Sequence, residues 1–174
     1  MNNVLNISDK SLFNKLNSNY KLYFHDPNSY NWKEDSYLLL CQIGFIEEFW
    51  VINELIQDKI NLGMFFLMKE NIKPLWENKE NIKGGYWSFK VLKKNVNEIW
   101  YNLTSQVIGN NCLIDKNKHN LINGISLSPK INNCIIKVWF SNIQKKSNIF
   151  NIEYLQKILK DIDFKEARFI KHSR

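Results

Sequence analysis

The chain has 174 residues, enough for one domain with a core of ordinary size, and its 24 basic against 17 acidic side chains leave a net charge of +7. That balance favours an anionic partner such as nucleic acid or phosphate, and it is dispersed, with short pairs such as Lys93-Lys94 and Lys145-Lys146 in place of a polybasic arm. Three widely spaced cysteines, Cys41, Cys112 and Cys134, exclude a zinc spacing and a disulfide framework, and no apolar run is long enough for a membrane span.

The cysteine usage and the lack of a signal-peptide pattern place the chain in a reducing, cytoplasmic setting. Residues 1–19 are polar and weakly patterned, and read as a flexible arm with one helical turn after Ser8. A single domain then covers residues 20–174. Tyr20 to Phe24 is aromatic and β-prone, a strand. His25-Asp26-Pro27-Asn28-Ser29 is a loop leading to Trp32, which stands among polar residues. A second strand covers residues 37–43.

Residues 45–58 form an amphipathic helix. At about 100° per residue, Phe45, Phe49, Ile52 and Ile56 share one stripe, and Trp50 lies off it with Ile46, Asn53 and Gln57. Such a side chain either covers its own helix edge or docks a partner segment; docking is the reading adopted. A strand over 63–69 precedes the long loop of 70–85. The strand of 86–92 points Trp87, Phe89 and Val91 one way and Tyr86, Ser88 and Lys90 the other. A second helix, 96–108, has the core stripe Val96, Ile99, Trp100, Leu103 and Val107, with Tyr101, Ser105 and Ile108 facing elsewhere; Gly109-Asn110-Asn111 ends it.

Residues 123–129 and 134–141 form a hairpin about Lys130-Ile131-Asn132-Asn133. Its return strand alternates Ile136, Val138 and Phe140 with Ile135, Lys137 and Trp139. A third helix covers 151–162 and a last strand 167–172. Short links between strands, with three interspersed helices, predict an α+β fold: a mostly antiparallel sheet with the helices on its apolar face.

The six tryptophans exceed what one core of this size needs, so some are set out for recognition. The most informative stretch is Pro74-Leu75-Trp76-Glu77, followed by Gly84-Gly85-Tyr86-Trp87. An indole offers a flat apolar face, and an adjacent carboxylate accepts two parallel N–H bonds. The pair suits a planar base with an amide-type edge, which means guanine. A buried Trp76 beside a solvated Glu77 is the simpler alternative from these residues alone.

Taken together, Trp32, Phe49-Trp50, the Pro-x-Trp-Glu…Gly-Gly-x-Trp segment, Trp100, Gly124, Lys130 and Trp139 resemble the eukaryotic translation initiation factor 4E family, the mRNA cap-binding proteins. The match holds in order and spacing from about Tyr20 to His172. The resemblance implies a curved antiparallel sheet with three helices on its convex face and a cap slot on the concave face. It implies that Trp32 and Trp76 sandwich a cationic 7-methylguanine, that Glu77 accepts from its N1–H and N2–H₂, and that Trp139 touches the methyl. Lys130 matches a phosphate-binding arginine. Trp50, with Ile46 and Tyr101, matches the face that holds a scaffold-type initiation factor or a regulatory helix. No cofactor, metal or membrane is implied.

Several positions depart from the family. Tyr86 replaces a phosphate-side arginine and Ile135 a phosphate-binding lysine; Asn14-Lys15-Leu16 stands for His-Pro-Leu, and Tyr101 and Ser105 for leucines. The sequence ends two residues after His172, short of the family's C-terminal loop. Lys137, two residues from Ile135 on the same strand face and about 7 Å away, is expected to share the phosphates with Lys130, and Tyr86 to meet them or the first nucleotide. The leading reading is cap recognition that recruits mRNA for translation initiation. A cap-sequestering repressor and a general single-stranded RNA module remain alternatives. Enzymatic chemistry is not expected, because His25, His119 and His172 are scattered, and no carboxylate pair or phosphate-cradling glycine loop stands out.

Overall fold

The computed structural model describes residues 11–142 and 152–172. Seven strands form one sheet in the order β2-β1-β3-β5-β6-β4-β7, with every pair antiparallel. They are β1 (Lys15–His25), β2 (Leu38–Phe45), β3 (Met64–Lys69), β4 (Gly85–Leu92), β5 (Ile122–Pro129), β6 (Asn133–Phe140) and β7 (Arg168–Lys171). The helices are α1 (Ile46–Ile56), α2 (Val96–Ile108) and α3 (Ile152–Ile158). The architecture is the expected α+β one, a curved open sheet with helices against one face.

Strand alternation sorts the side chains between two faces. Leu22, Phe65, Leu67, Ile125, Leu127, Ile136 and Val138 join one large core with Phe49 of α1, Ile99, Trp100 and Leu103 of α2, and Leu155 of α3. Their neighbours along the same strands, Tyr23, Phe66, Met68 and Trp139, gather on the opposite face in a smaller cluster, with Tyr37, Met64 and Trp76 against it. A one-residue slip in any of these strands would exchange the two sets. The helices therefore stiffen one face and leave the other for the loops.

Local differences from the sequence expectation have physical causes. β1 begins at Lys15, inside the segment expected to be a flexible arm. Lys15 pairs with Phe45, and the Asn14 amide donates to the Glu47 carboxylate at 3.1 Å. The helical turn expected after Ser8 falls mostly outside the described residues. α1 gives way to a 3-10 turn at Gln57–Lys59. Its first turn has no side-chain cap from Phe45; Glu48 reaches back instead and accepts from the Gly44 and Phe45 amides at 2.8 and 3.2 Å. α2 has the expected bounds, but its left-handed closing residue is Asn110 (φ 61°), and Ile108 is buried rather than turned away. α3 stops at Ile158; the start expected at Asn151 lies outside the described residues, and Leu159 and Ile162 reach the core from the turns that follow.

Candidate functional site

Two loops and the strand face opposite the helices enclose a cleft of about 410 Å³. Its floor is the alternate face of three neighbouring strands: Met64 and Phe66 from β3, Ser126 and Ser128 from β5, and Ile135, Lys137 and Trp139 from β6. Trp139 is 6% exposed. Its ring packs edge-on to Phe66, with centroids 6.4 Å apart, and its Nε1 donates to Ser126 Oγ at 2.9 Å. The hydroxyl satisfies the one polar atom of a buried indole and so fixes which edge faces the cleft.

One wall comes from the loop after β3. Pro74 is buried, Trp76 half-buried and Glu77 exposed. The loop is held from beneath by Asn81, whose Nδ2 donates to the Lys73 and Leu75 carbonyls at 3.0 and 2.8 Å. Asn123 of β5 donates to Asn81 Oδ1 and to the Glu80 carbonyl, each at 2.8 Å. Two buried amides thus brace a long loop by four bonds, two within the loop and two to the sheet. The Gly84-Gly85 pair that follows has a packing cause: a Cβ on Gly84 would lie 1.7 Å from the Phe140 carbonyl oxygen, and one on Gly85 2.5 Å from that of Ile170.

The facing wall comes from the β1–β2 loop. Trp32 is 51% exposed and lies flat on His25, with ring centroids 4.4 Å apart and planes 8° from parallel. Tyr37 packs edge-on against Phe66 at 5.2 Å. Burial, helped by the Glu77 charge, pushes the Tyr37 hydroxyl up to about 12, and Glu77 lines the same cleft. Lys73 Nζ meets Glu34 Oε1 at 2.7 Å, joining the two loops at the rim.

Charge is divided within the cleft. Glu77 supplies a carboxylate; Lys130, at the β5–β6 turn, and Lys137 supply ammonium groups. Burial and then the neighbouring Lys130 charge depress the Lys137 ammonium. Its Nζ sits 4.3 Å from the centre of the Tyr86 ring. Flat apolar walls, one carboxylate and two ammoniums suit a planar, N–H-bearing, anionic ligand, which describes a nucleotide.

The cleft therefore gathers Trp32, Trp76, Glu77, Trp139, Lys130 and Lys137, and Tyr86 reaches it through its contact with Lys137. The residues expected to hold a partner lie elsewhere. Trp50, 57% exposed, and Tyr101 line an open groove of about 640 Å³ with Glu47, Glu54 and Glu98. Ile46 is not in that groove. It is half-buried and lines a smaller hollow with Phe49, Ser105 and Ile108, which Trp50 joins from its other side.

Comparison with known proteins identifies the scaffold. The model of the family "Eukaryotic initiation factor 4E" matches residues 15–174. The chain belongs to the eukaryotic initiation factor 4E family. Initiation factor 4E of Candida albicans is 31% identical over 170 residues, spanning 90% of this chain and 78% of that one. The Saccharomyces cerevisiae factor is 27% identical over 180 residues, spanning 96% and 82%. Among solved structures, Ascaris suum eIF4E-3 in complex with an m7G cap superposes with a TM-score of 0.78 at 23% identity over 93% of each chain. Caenorhabditis elegans eIF4E-3 in complex with the 4E-binding protein Mextli and a cap analogue gives 0.79 at 22% identity, over 92% of this chain and 93% of that one. Initiation factors 4E act in translation initiation and are not enzymes.

Two histidines that look scattered in the sequence belong to the site. His25 backs Trp32, and its Nε2 is 2.8 Å from the Asn31 carbonyl oxygen. His172 lies 5.0 Å from Trp139 and 5.5 Å from Tyr86, ring to ring, at the far edge of the floor. Burial lowers the pKa of His172, with the Lys137 charge acting in the same direction and Glu77 opposing it. The pairing of β7 with β4 brings His172 there. Among the described residues no cluster of His, Cys, Asp and Glu could hold a metal ion, and no helix is long and apolar enough to cross a membrane.

Proposed function

We propose that this chain binds the 7-methylguanosine cap of mRNA in the cleft and acts in the cytoplasm as a translation initiation factor. The observation that carries the reading is the gathering of two loop tryptophans, one carboxylate and two lysines in one cleft of about 410 Å³. Trp32 and Trp76 sandwich the base, each stack contributing about 1–3 kcal/mol, and the N7-methylated ring adds a cation–π attraction of about 2 kcal/mol when desolvated. Glu77 accepts from N1–H and N2–H₂, and the Trp76 backbone N–H donates to O6. Trp139 offers the methyl an apolar ring edge. Lys130 and Lys137 take the phosphates, with Lys137 swinging from Tyr86, which is left for the first transcribed nucleotide.

The groove beside Trp50 receives a helix of a scaffold-type initiation factor or of a regulatory protein. Its rim carries Glu47, Glu54 and Glu98, so the partner segment is basic as well as apolar. This accords with solved relatives bound to the 4E-binding protein Mextli and to 4E-BP.

The test is retention on immobilised 7-methyl-GTP. Glu77→Ala loses a bidentate interaction of about 1–3 kcal/mol, roughly five- to 150-fold in affinity, with its melting temperature unchanged. Full retention of that variant defeats the assignment. Equal competition by GTP and 7-methyl-GTP would favour a general RNA module instead.

A further inference from the structure

We infer that His25 is a positioning residue for Trp32, holding that indole as a preformed wall of the slot; the inference rests on the cap-binding reading for its functional meaning. A tryptophan in an exposed loop ordinarily samples several rotamers and orders only when a ligand arrives, which weakens binding. Here the ring already lies on a second ring. The 4.4 Å centroid separation and 8° interplanar angle are those of a full stack, in which one indole face is covered and the other left for a ligand. His25 is itself enclosed: it closes β1, is fully buried, and has Tyr37 tilted against it at 4.8 Å.

The imidazole does two jobs. Opposite a carbonyl oxygen its Nε2 can only donate, so the 2.8 Å contact to the Asn31 carbonyl is an N–H bond to the residue just before Trp32. Asn31 in turn donates from Nδ2 to Asp35 at 3.0 Å and accepts from the Lys33 amide at 2.9 Å. Backbone and ring of the Trp32 segment are thus fastened to one side chain. Nδ1 of His25 is buried with no partner, so hydrogen bonding alone does not dictate how the ring lies; stacking does. A bound base would become the third layer of a stack that begins at His25.

The experiment compares wild type, His25→Ala, His25→Phe and His25→Gln, each with and without Trp32→Ala. Affinity for 7-methyl-GTP and acrylamide quenching of the Trp32 emission, the latter as a difference from Trp32→Phe, are measured beside the melting temperature. His25→Ala is expected to weaken binding about two- to tenfold, the cost of ordering one side chain and its loop, and to make Trp32 more quenchable. His25→Phe restores the stack and most of the affinity; His25→Gln does not. In the Trp32→Ala background all His25 variants bind alike. Unchanged quenching in His25→Ala, or an equal loss of affinity with Trp32 absent, overturns the inference. If His25→Ala does not fold, the Phe and Gln pair decides by the same readouts. If wild type does not bind 7-methyl-GTP, the cap reading falls, and quenching alone decides whether His25 positions Trp32.

Discussion

Asn81 shows how much of a recognition loop can depend on one buried amide. Its side chain makes both donor bonds to the loop and accepts from Asn123. Asn81→Ala leaves those carbonyls unpaired inside the protein, at about 1–3 kcal/mol for each group that water cannot reach. We expect a lower melting temperature together with weaker 7-methyl-GTP binding. Asn123→Ala, which spares the Lys73 and Leu75 bonds, should lose stability with a smaller effect on affinity. Calorimetry beside affinity measurement separates the two, and an Asn81→Ala protein with native binding would show that the Trp76 loop holds itself. Asn81 is a single polar residue in a polar loop, so nothing local in the sequence marks it; its partners are carbonyls, which carry no side-chain signature.

His119 gives a pH dependence. Burial, reinforced by the Lys69 charge, holds its imidazole down to about 4 from an ordinary 6.5, with the Val107 backbone opposing, and burial holds Lys69 down to about 8. As pH falls through 6.5 the unfolded chain takes up a proton that the folded chain refuses until about pH 4. The stability present above 6.5 is therefore lost progressively across that window, on the order of 1–3 kcal/mol in all. Urea unfolding at pH 7, 5.5 and 4.5 should show the midpoint falling, and His119→Gln should flatten the fall. An identical slope in the variant would assign the effect to other groups.

At the scale of elements, the sequence is most legible where periodicity meets a single core. The α2 stripe and the alternation of β4 and β6 appear in the structure as read, because each apolar residue there has one place to go. Termini are less legible. Lys15 is polar, and its place in β1 depends on pairing with Phe45, far along the chain, which no local pattern reports. Helical phase puts Ile46 with Trp50, and the two share a hollow, but Tyr101 lines the separate groove on the other side of Trp50, which phase on α1 alone does not report. The loop pairing through Lys73 and Glu34 is likewise invisible, since exposed ions of both signs are common. Both side chains are well exposed, so Lys73→Ala should change stability by less than about 1 kcal/mol, and any loss of affinity should vanish at high salt. α1 carries the complementary prediction. Trp50→Ala removes an exposed ring, so melting temperature and cap affinity should stay near native while capture of a basic amphipathic peptide is lost. Unfolding of that variant would make Trp50 part of the core.

Across the whole molecule the sheet separates two surfaces of opposite character. The cleft carries Lys130 and Lys137 against the one carboxylate of Glu77, and the groove beyond the helices is lined by Glu47, Glu54 and Glu98. The net charge of +7 points to an anionic partner but conceals this division, because a sum does not record which face each charge occupies. For affinity toward mono-, di- and triphosphate cap analogues over a salt series, Lys137→Ala and Lys130→Ala should each flatten both the gain per phosphate and the salt slope. On a single strand the slope in the log–log plot falls by roughly 0.7 for each phosphate that is no longer neutralised. A Lys137→Ala protein with native affinity for every analogue would leave Lys130 as the sole grip of the two.

The crowding at Gly84 bears on how such chains diverge. A methyl group there would collide with a strand carbonyl whether or not any nucleotide is ever bound. Drift that emptied the cleft of its ligand would still be held to this glycine by the fold. The Gly-Gly-x-Trp signature therefore testifies to ancestry, and a descendant that had abandoned RNA would wear it unchanged. Under the function proposed above, whether a given descendant still reads caps depends on Trp32, Trp76 and Glu77, which stand on loops outside the seven strands.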